Sequence, residues 1–182
     1  MTVLIIVLVL VAVVGVVIYN RLIRSRNRVD TAWSDIDVQL QRRHDLIPRL
    51  VKAVDHYAGY ERATLEAVTE LRAEAMQQAE VSIRGEAEAK LTAGIERLLA
   101  LAENYPDLKA NENFLNLQNQ LVETENYLQF ARRYYNGSVR DYNTMVEVVP
   151  SNLVAALFRF EKREFFEIED PVERDAPKVD FS

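Results

Sequence analysis

The chain has 182 residues, with 28 acidic against 22 basic side chains and a net charge of −6; that is room for one domain and an anchor, and too little for two catalytic domains of about 100–150 residues each. The acidic balance excludes the usual nucleic-acid binder, which needs a basic patch or stripe to displace counterions from phosphates. There is no cysteine, so disulfides, thiolate nucleophiles, cysteine zinc sites and a lipidated N-terminal cysteine are all out, while the compartment stays open.

Residues 1–19, MTVLIIVLVLVAVVGVVIY, carry no charged side chain. At 1.5 Å per residue a helix of this length spans about 28 Å, close to a hydrocarbon core of about 30 Å, and lipid forces its backbone to bond internally despite the many valines. We read it as a retained single-pass anchor. A cleaved signal peptide would carry Lys or Arg ahead of the run and a small-residue site after it, whereas here YNRLIR follows. Arg21, Arg24, Arg26 and Arg28 then mark a membrane-interface cluster. The positive-inside rule puts that end, and the soluble part, in the cytoplasm and the N-terminus outside. Anionic lipid headgroups would attract each arginine by about 1 kcal/mol; the plainer alternative is that these residues only solvate a helix exit.

From residue 27 to 57 the apolar positions Val29, Trp33, Ile36, Leu40, Ile47, Leu50, Val51, Val54 and Tyr57 draw one stripe down a helix. No Gly or Pro separates Tyr19 from Ile47, so the anchor is expected to run into this helix without a linker. Pro48 predicts a kink or a brief break, since it lacks an N–H and restricts Ile47, but the stripe keeps its phase across it. Gly59 is a suitable stop.

A second amphipathic helix is expected over 61–83, on Leu65, Val68, Leu71, Ala75, Met76 and Ala79, and a third through Leu91, Ile95, Leu98, Leu99 and Ala102 to Asn104. Between them, 82–85 is either a turn or a flaw in one long helix. Residues 105–111 read as a loop, with Asn111 as the N-cap of the next helix. That helix, 111–149, repeats Phe114, Leu117, Leu121, Leu128, Tyr135, Val139, Tyr142, Met145, Val146 and Val149 near heptad spacing. At about 60 Å it matches the first soluble rod, and matched rods with short loops favour an antiparallel bundle.

Glu125, Arg132, Asn136 and Asn143 fall on or beside this seam. They form either a paired structural network, since buried charges persist only with partners, or a polar pocket. After Pro150, residues 151–166 open with Ser151 or Asn152 as cap and carry Leu153, Leu157, Phe158, Phe160, Phe165 and Phe166. This piece is too short and charged to span a bilayer; it is expected to cover the bundle, or else to meet lipid or a partner. Residues 169–182 read as a loose acidic tail.

No motif for catalysis is present. Neither His44 nor His56 sits in a zinc or di-iron spacing, and there is no nucleophile elbow, phosphate loop or dinucleotide fingerprint. Asp35 and Asp37, two apart, point to different helix faces.

Five blocks do match a family, in order: RNRVDTAW with DVQLQRRHDLIPRLV (26–51), EAVTELRA (66–73), LAENYPDLKANENFLNLQNQLVETEN (101–126), FARRYYNGSVRDYN (130–143) and VPSNLVAALFRF (149–160). Together they resemble the LemA family of bacterial membrane proteins over essentially the whole chain. Val149 and Arg159 depart from it, standing where the family often shows Phe and Gly. The resemblance implies one N-terminal span and an up-and-down helical bundle, with no established activity, cofactor or ligand; it also implies membrane-associated partners such as HtpX-like metallopeptidases.

The chain is therefore expected to be all-α: an anchor at 1–19 continuing into an antiparallel bundle of three to four helices over 20–168, with a short C-terminal helical segment. Its expected role is that of a non-catalytic membrane scaffold or adaptor meeting lipids, protein partners or its own copies, without nucleic acid or cofactor. The alternative is a ligand- or metal-responsive sensor using the seam pocket.

Overall fold

The structure is a computed structural model that describes residues 1–59 and 61–166; the tail expected at 169–182 lies outside the described residues. It is all-α, with helices α1 Thr2–Ala58, α2 Arg62–Gln77, α3 Val81–Ala102, α4 Pro106–Lys109, α5 Glu112–Glu147 and α6 Ser151–Leu157. Two compact units emerge, one of Met1–Leu40 with Asn126–Phe165 and one of Gln41–Glu125 with Phe166. Both α1 and α5 contribute to each.

In the second unit, the end of α1, then α2, α3 and the start of α5 form an up-and-down four-helix bundle. Arg43 on α1 meets Glu125 on α5, and Tyr57, further along α1, meets Asn111 just ahead of α5, so the two helices run antiparallel. The α2 and α3 helices do too, with Glu74 meeting Lys90 and Leu71 facing Gly94. At Gly94 an added Cβ would sit 2.9 Å from Leu71 Cδ1; hydrogen there lets the two helices approach closely. The core takes Ile47, Leu50 and Val54 from α1, Leu65 and Val68 from α2, Leu91 and Leu98 from α3, and Phe114 and Leu117 from α5. Each such side chain contributes about 1.5–3 kcal/mol on leaving water.

Pro48 neither breaks nor ends α1. Its missing N–H deprives the His44 carbonyl, four residues back, of its helical partner, and Arg72 Nε on α2 donates to that oxygen at 2.7 Å instead. The cost of the proline is offset by a neighbouring helix.

The joint between α2 and α3 is a turn, and it lies at 78–80 instead of 82–85. Gly85, which suggested the later position, is buried inside α3. The expected loop at 105–111 contains the single turn α4, entered by Pro106 at its first position, where a missing donor does no harm. Asn111 caps α5 as expected, its Oδ1 accepting from the N–H groups of Asn113 and Phe114 at 3.0 and 3.2 Å.

In the first unit, Leu22, Val29, Ala32 and Ile36 of α1 and Leu128, Val139 and Tyr142 of α5 are buried, and the Trp33 and Tyr135 rings meet at 5.3 Å. The side chains of residues 3–11 are exposed along α1, and among the described residues α1 is the helix long and apolar enough to cross a membrane. Val149 leaves the heptad stripe: α5 ends at Glu147 and Val149 is 77% exposed.

Neither Ser151 nor Asn152 caps α6. Pro150 takes the N-cap position, and Ser151 Oγ donates back to the Val148 carbonyl at 2.9 Å. The far end closes when Phe160 N–H reaches the Ala155 carbonyl and Arg159 N–H that of Ala156, with Arg159 at φ 56. This is the Schellman arrangement, whose left-handed residue is usually glycine.

Past α6, residues 160–166 are non-helical and return along α5, held by α5 side chains. Tyr142 and Tyr135 hydroxyls donate to the carbonyls of Glu161 and Glu164, each at 2.9 Å. Asn143 bonds both ways with the Arg163 backbone, at 2.9 and 2.8 Å. Burial raises both phenol pKa values above 10.0, so the hydroxyls stay donors at neutral pH.

Candidate functional site

Three apolar stripes of the four-helix unit each miss a step. On α1 the turn between Leu40 and Ile47 carries Arg43 and His44; on α3, Glu88 precedes Leu91 by one turn; on α5 the turn between Leu121 and Leu128 carries Thr124 and Glu125. Helical periodicity aims these side chains inward, and the fold brings Arg43, His44, Glu88 and Glu125 together.

Arg43 is the hub. Its Nη2 donates to Glu88 Oε2 at 2.6 Å and to the Glu88 carbonyl at 3.1 Å, while Nη1 donates to Glu125 Oε1 at 2.7 Å and Thr92 Oγ at 3.1 Å. His44 Nε2–H donates to the other Glu88 oxygen at 2.9 Å. Arg43 and Glu88 are 0% exposed and His44 is 1% exposed. The Arg43 Nε is buried without a partner.

Burial alone would raise the Glu88 pKa. The His44 hydrogen bond and the Arg43 charge outweigh it and hold the carboxyl below its ordinary value of 4.5, so Glu88 is ionised at neutral pH. Such a cluster locks three helices in register; only Glu125, its side chain 33% exposed, opens a carboxylate toward solvent. Among the described residues no group of three His, Cys, Asp or Glu is placed to hold a metal ion. A separate open groove of about 700 Å³ runs between α1 and α2, past Pro48, Val51, Lys52, Leu65 and Thr69.

Of the seam residues singled out from sequence, Glu125 joins this cluster. Arg132, Asn136 and Asn143 belong to the other unit; all three are half-buried, and Asn143 is committed to the Arg163 backbone. Arg43, His44 and Glu88 were missed. The signal for them is the matched interruption of three apolar stripes, which shows only when the stripes are laid side by side.

Just after the apolar N-terminal stretch, Arg21, Arg24 and Arg28 are exposed, sharing one face by their three-then-four spacing. Arg26 points elsewhere and lies over the Phe160 ring at 5.6 Å. Further along this unit, Tyr127, Phe130 and Tyr134 form an exposed aromatic stripe on α5, Phe130 being 60% exposed with the Arg133 guanidinium over its ring at 4.7 Å.

Residues 32–181 match the LemA family. Magnetosome protein MamQ 2 of Paramagnetospirillum magneticum is 23% identical over 175 residues, covering 82% of this chain and 64% of that protein. Magnetosome protein MamQ of Magnetospirillum gryphiswaldense is 23% identical over 174 residues, 81% of this chain and 64% of its own. Protein LemA of Metamycoplasma hominis is 24% identical over 140 residues, 75% of this chain and 63% of its own. The chain thus spans under two thirds of the length of these relatives. Together with the apolar helix, the matches make this a membrane-associated helical protein.

Proposed function

The chain belongs to the LemA family, and from that premise we propose that it is a membrane-anchored scaffold or adaptor without catalytic activity. Residues 1–19 anchor it, residues 20–168 present the helical surface, and Arg21, Arg24, Arg26 and Arg28 keep the soluble part on the cytoplasmic side with the N-terminus outside. The observation that carries this reading is the aromatic stripe Tyr127, Phe130 and Tyr134. Exposed aromatics beside an arginine are the side chains that protein interfaces favour at their centres, and here they sit on the same unit as the anchor.

A photo-crosslinker placed at Phe130 in native membranes tests it. The expected result is a discrete adduct with a protein partner or a second copy, lost on Tyr127→Ala and Tyr134→Ala. Absence of any adduct would remove the scaffold reading. No relative named above is a metallopeptidase, so the HtpX-like partner rests on the resemblance alone, and the adduct decides its identity. The sensor alternative has weaker support, because of its seam residues Glu125 is already paired with Arg43 and Asn143 with the Arg163 backbone.

A further inference from the structure

The α6 helix is amphipathic the wrong way round for a segment covering a core. Its small residues Ser151 and Ala155, four apart, face the unit and are buried, while Leu153 and Leu157, also four apart, face out at 68% and 76% exposure. Val149 and Phe158, flanking the helix, are exposed apolar side chains as well. In water this arrangement wastes the burial that two leucines provide, about 1.5–3 kcal/mol each.

Its position within the unit says what covers it. Phe158 packs its ring 4.7 Å from that of Tyr19, and Phe160 lies 5.7 Å from the same ring. Tyr19 ends the apolar run of α1, ahead of Asn20 and Arg21, so α6 lies at the level where that helix leaves the hydrocarbon. Tyrosines and other aromatic rings favour that level. Exposed Arg21, Arg24 and Arg159 accompany it, suiting anionic headgroups, and the acid at the end of α5, Glu147, is paired with Lys162 at 2.8 Å.

We infer that α6 and the residues flanking it form a second membrane contact, in which Val149, Leu153, Leu157 and Phe158 dip into the interfacial layer of the bilayer beside the anchor. A short apolar face with flanking cations lies in the interface without spanning it. The contact ties the far end of α5 to the same bilayer surface as α1. It rests on the anchored reading, and its test separates the two.

The chain has no cysteine, so single-site fluorophores can be attached in the full-length protein at Leu153→Cys, Leu157→Cys, Val9→Cys and Met76→Cys. Each variant is reconstituted in vesicles of phosphatidylcholine and phosphatidylglycerol, then quenched with acyl-brominated lipid or aqueous iodide. Expected is bromolipid quenching at 153 and 157 several-fold stronger than at Met76, an exposed position of the other unit, with the opposite order for iodide. Adding Leu153→Glu to the Leu157 probe should abolish its bromolipid quenching. If 153 and 157 behave like Met76 while Val9 is quenched, the α6 inference falls and the anchor stands; an unquenched Val9 overturns both. Shielding at 157 that tracks disulfide dimers of Leu157→Cys, and vanishes when protein is diluted with lipid, would assign the face to a second copy and also overturn it.

Discussion

At the residue scale, Glu88 carries the most consequence. It is sealed between Arg43 and His44, and removing one member of a buried ion pair costs about 3–5 kcal/mol because the other charge stays buried. Glu88→Ala is therefore expected to destabilise the four-helix unit by about 3 kcal/mol, the low end, since Glu125 still partners Arg43. Replacing Arg43, His44 and Glu88 together by apolar residues of similar volume should recover most of that loss. Denaturant melts of the three proteins check both statements.

The sign of the pH effect follows from the depressed pKa. A carboxyl held below 4.5 when folded contributes fully above that value, and the contribution is lost as the pH falls below 4.5 through the folded pKa. Wild-type stability should drop more steeply there than that of Glu88→Gln, as acid titration of both would show. Arg159 is the other informative residue. Its φ of 56 places a side chain where glycine is free of the Cβ penalty, about 1–2 kcal/mol, so Arg159→Gly should stabilise the end of α6 by about 1 kcal/mol. A thermal melt that falls instead would contradict this.

These residues also show what could be read in advance. The departure at Arg159 was visible against the family pattern, but its conformation was not, because a dihedral angle is set by the turn and not by the residue type. Arg43, His44 and Glu88 each read as an isolated gap in the apolar stripe of their own helix. Only the packing of three helices turns them into one cluster.

At the element scale, α1 shows how a proline is accommodated within a long helix. With Arg72 Nε satisfying the carbonyl that Pro48 leaves open, Arg72→Ala should cost about 1–3 kcal/mol, the usual penalty for stranding a half-buried acceptor. In a Pro48→Ala background the new N–H can take that carbonyl, so the same substitution should cost markedly less; equal losses in the two backgrounds would refute the coupling. The course of α1 was legible because apolar phase survives a proline. The 78–80 turn was not, since no Gly or Pro marks it and Gly85 lies nearby as a decoy. The face of α6 stayed open between covering the bundle and meeting lipid or a partner, because a count of apolar residues does not say which of them point outward.

At the scale of the whole molecule, the absence of cysteine allows orientation to be measured with one added thiol. Glu123→Cys, at an exposed position on α5, should resist a membrane-impermeant maleimide in intact cells and react once the membrane is opened. Labelling in intact cells would reverse the orientation drawn from Arg21, Arg24, Arg26 and Arg28. The all-helical class was legible from sparse Gly and Pro and from sustained periodicity. The division into two units was not, because α1 and α5 cross it as continuous helices.

The return of the chain along α5 has one last consequence. Tyr135, Tyr142 and Asn143 hold the carbonyls of Glu161, Arg163 and Glu164 and the amide of Arg163, so the clasp grips peptide groups, and of the side chains they carry Arg163 adds an ion pair to Asp30 at 3.0 Å. Positions 161 and 164 can therefore change identity freely, whereas Arg163→Pro, which deletes the one gripped amide, should let the strap lift away and open it to protease.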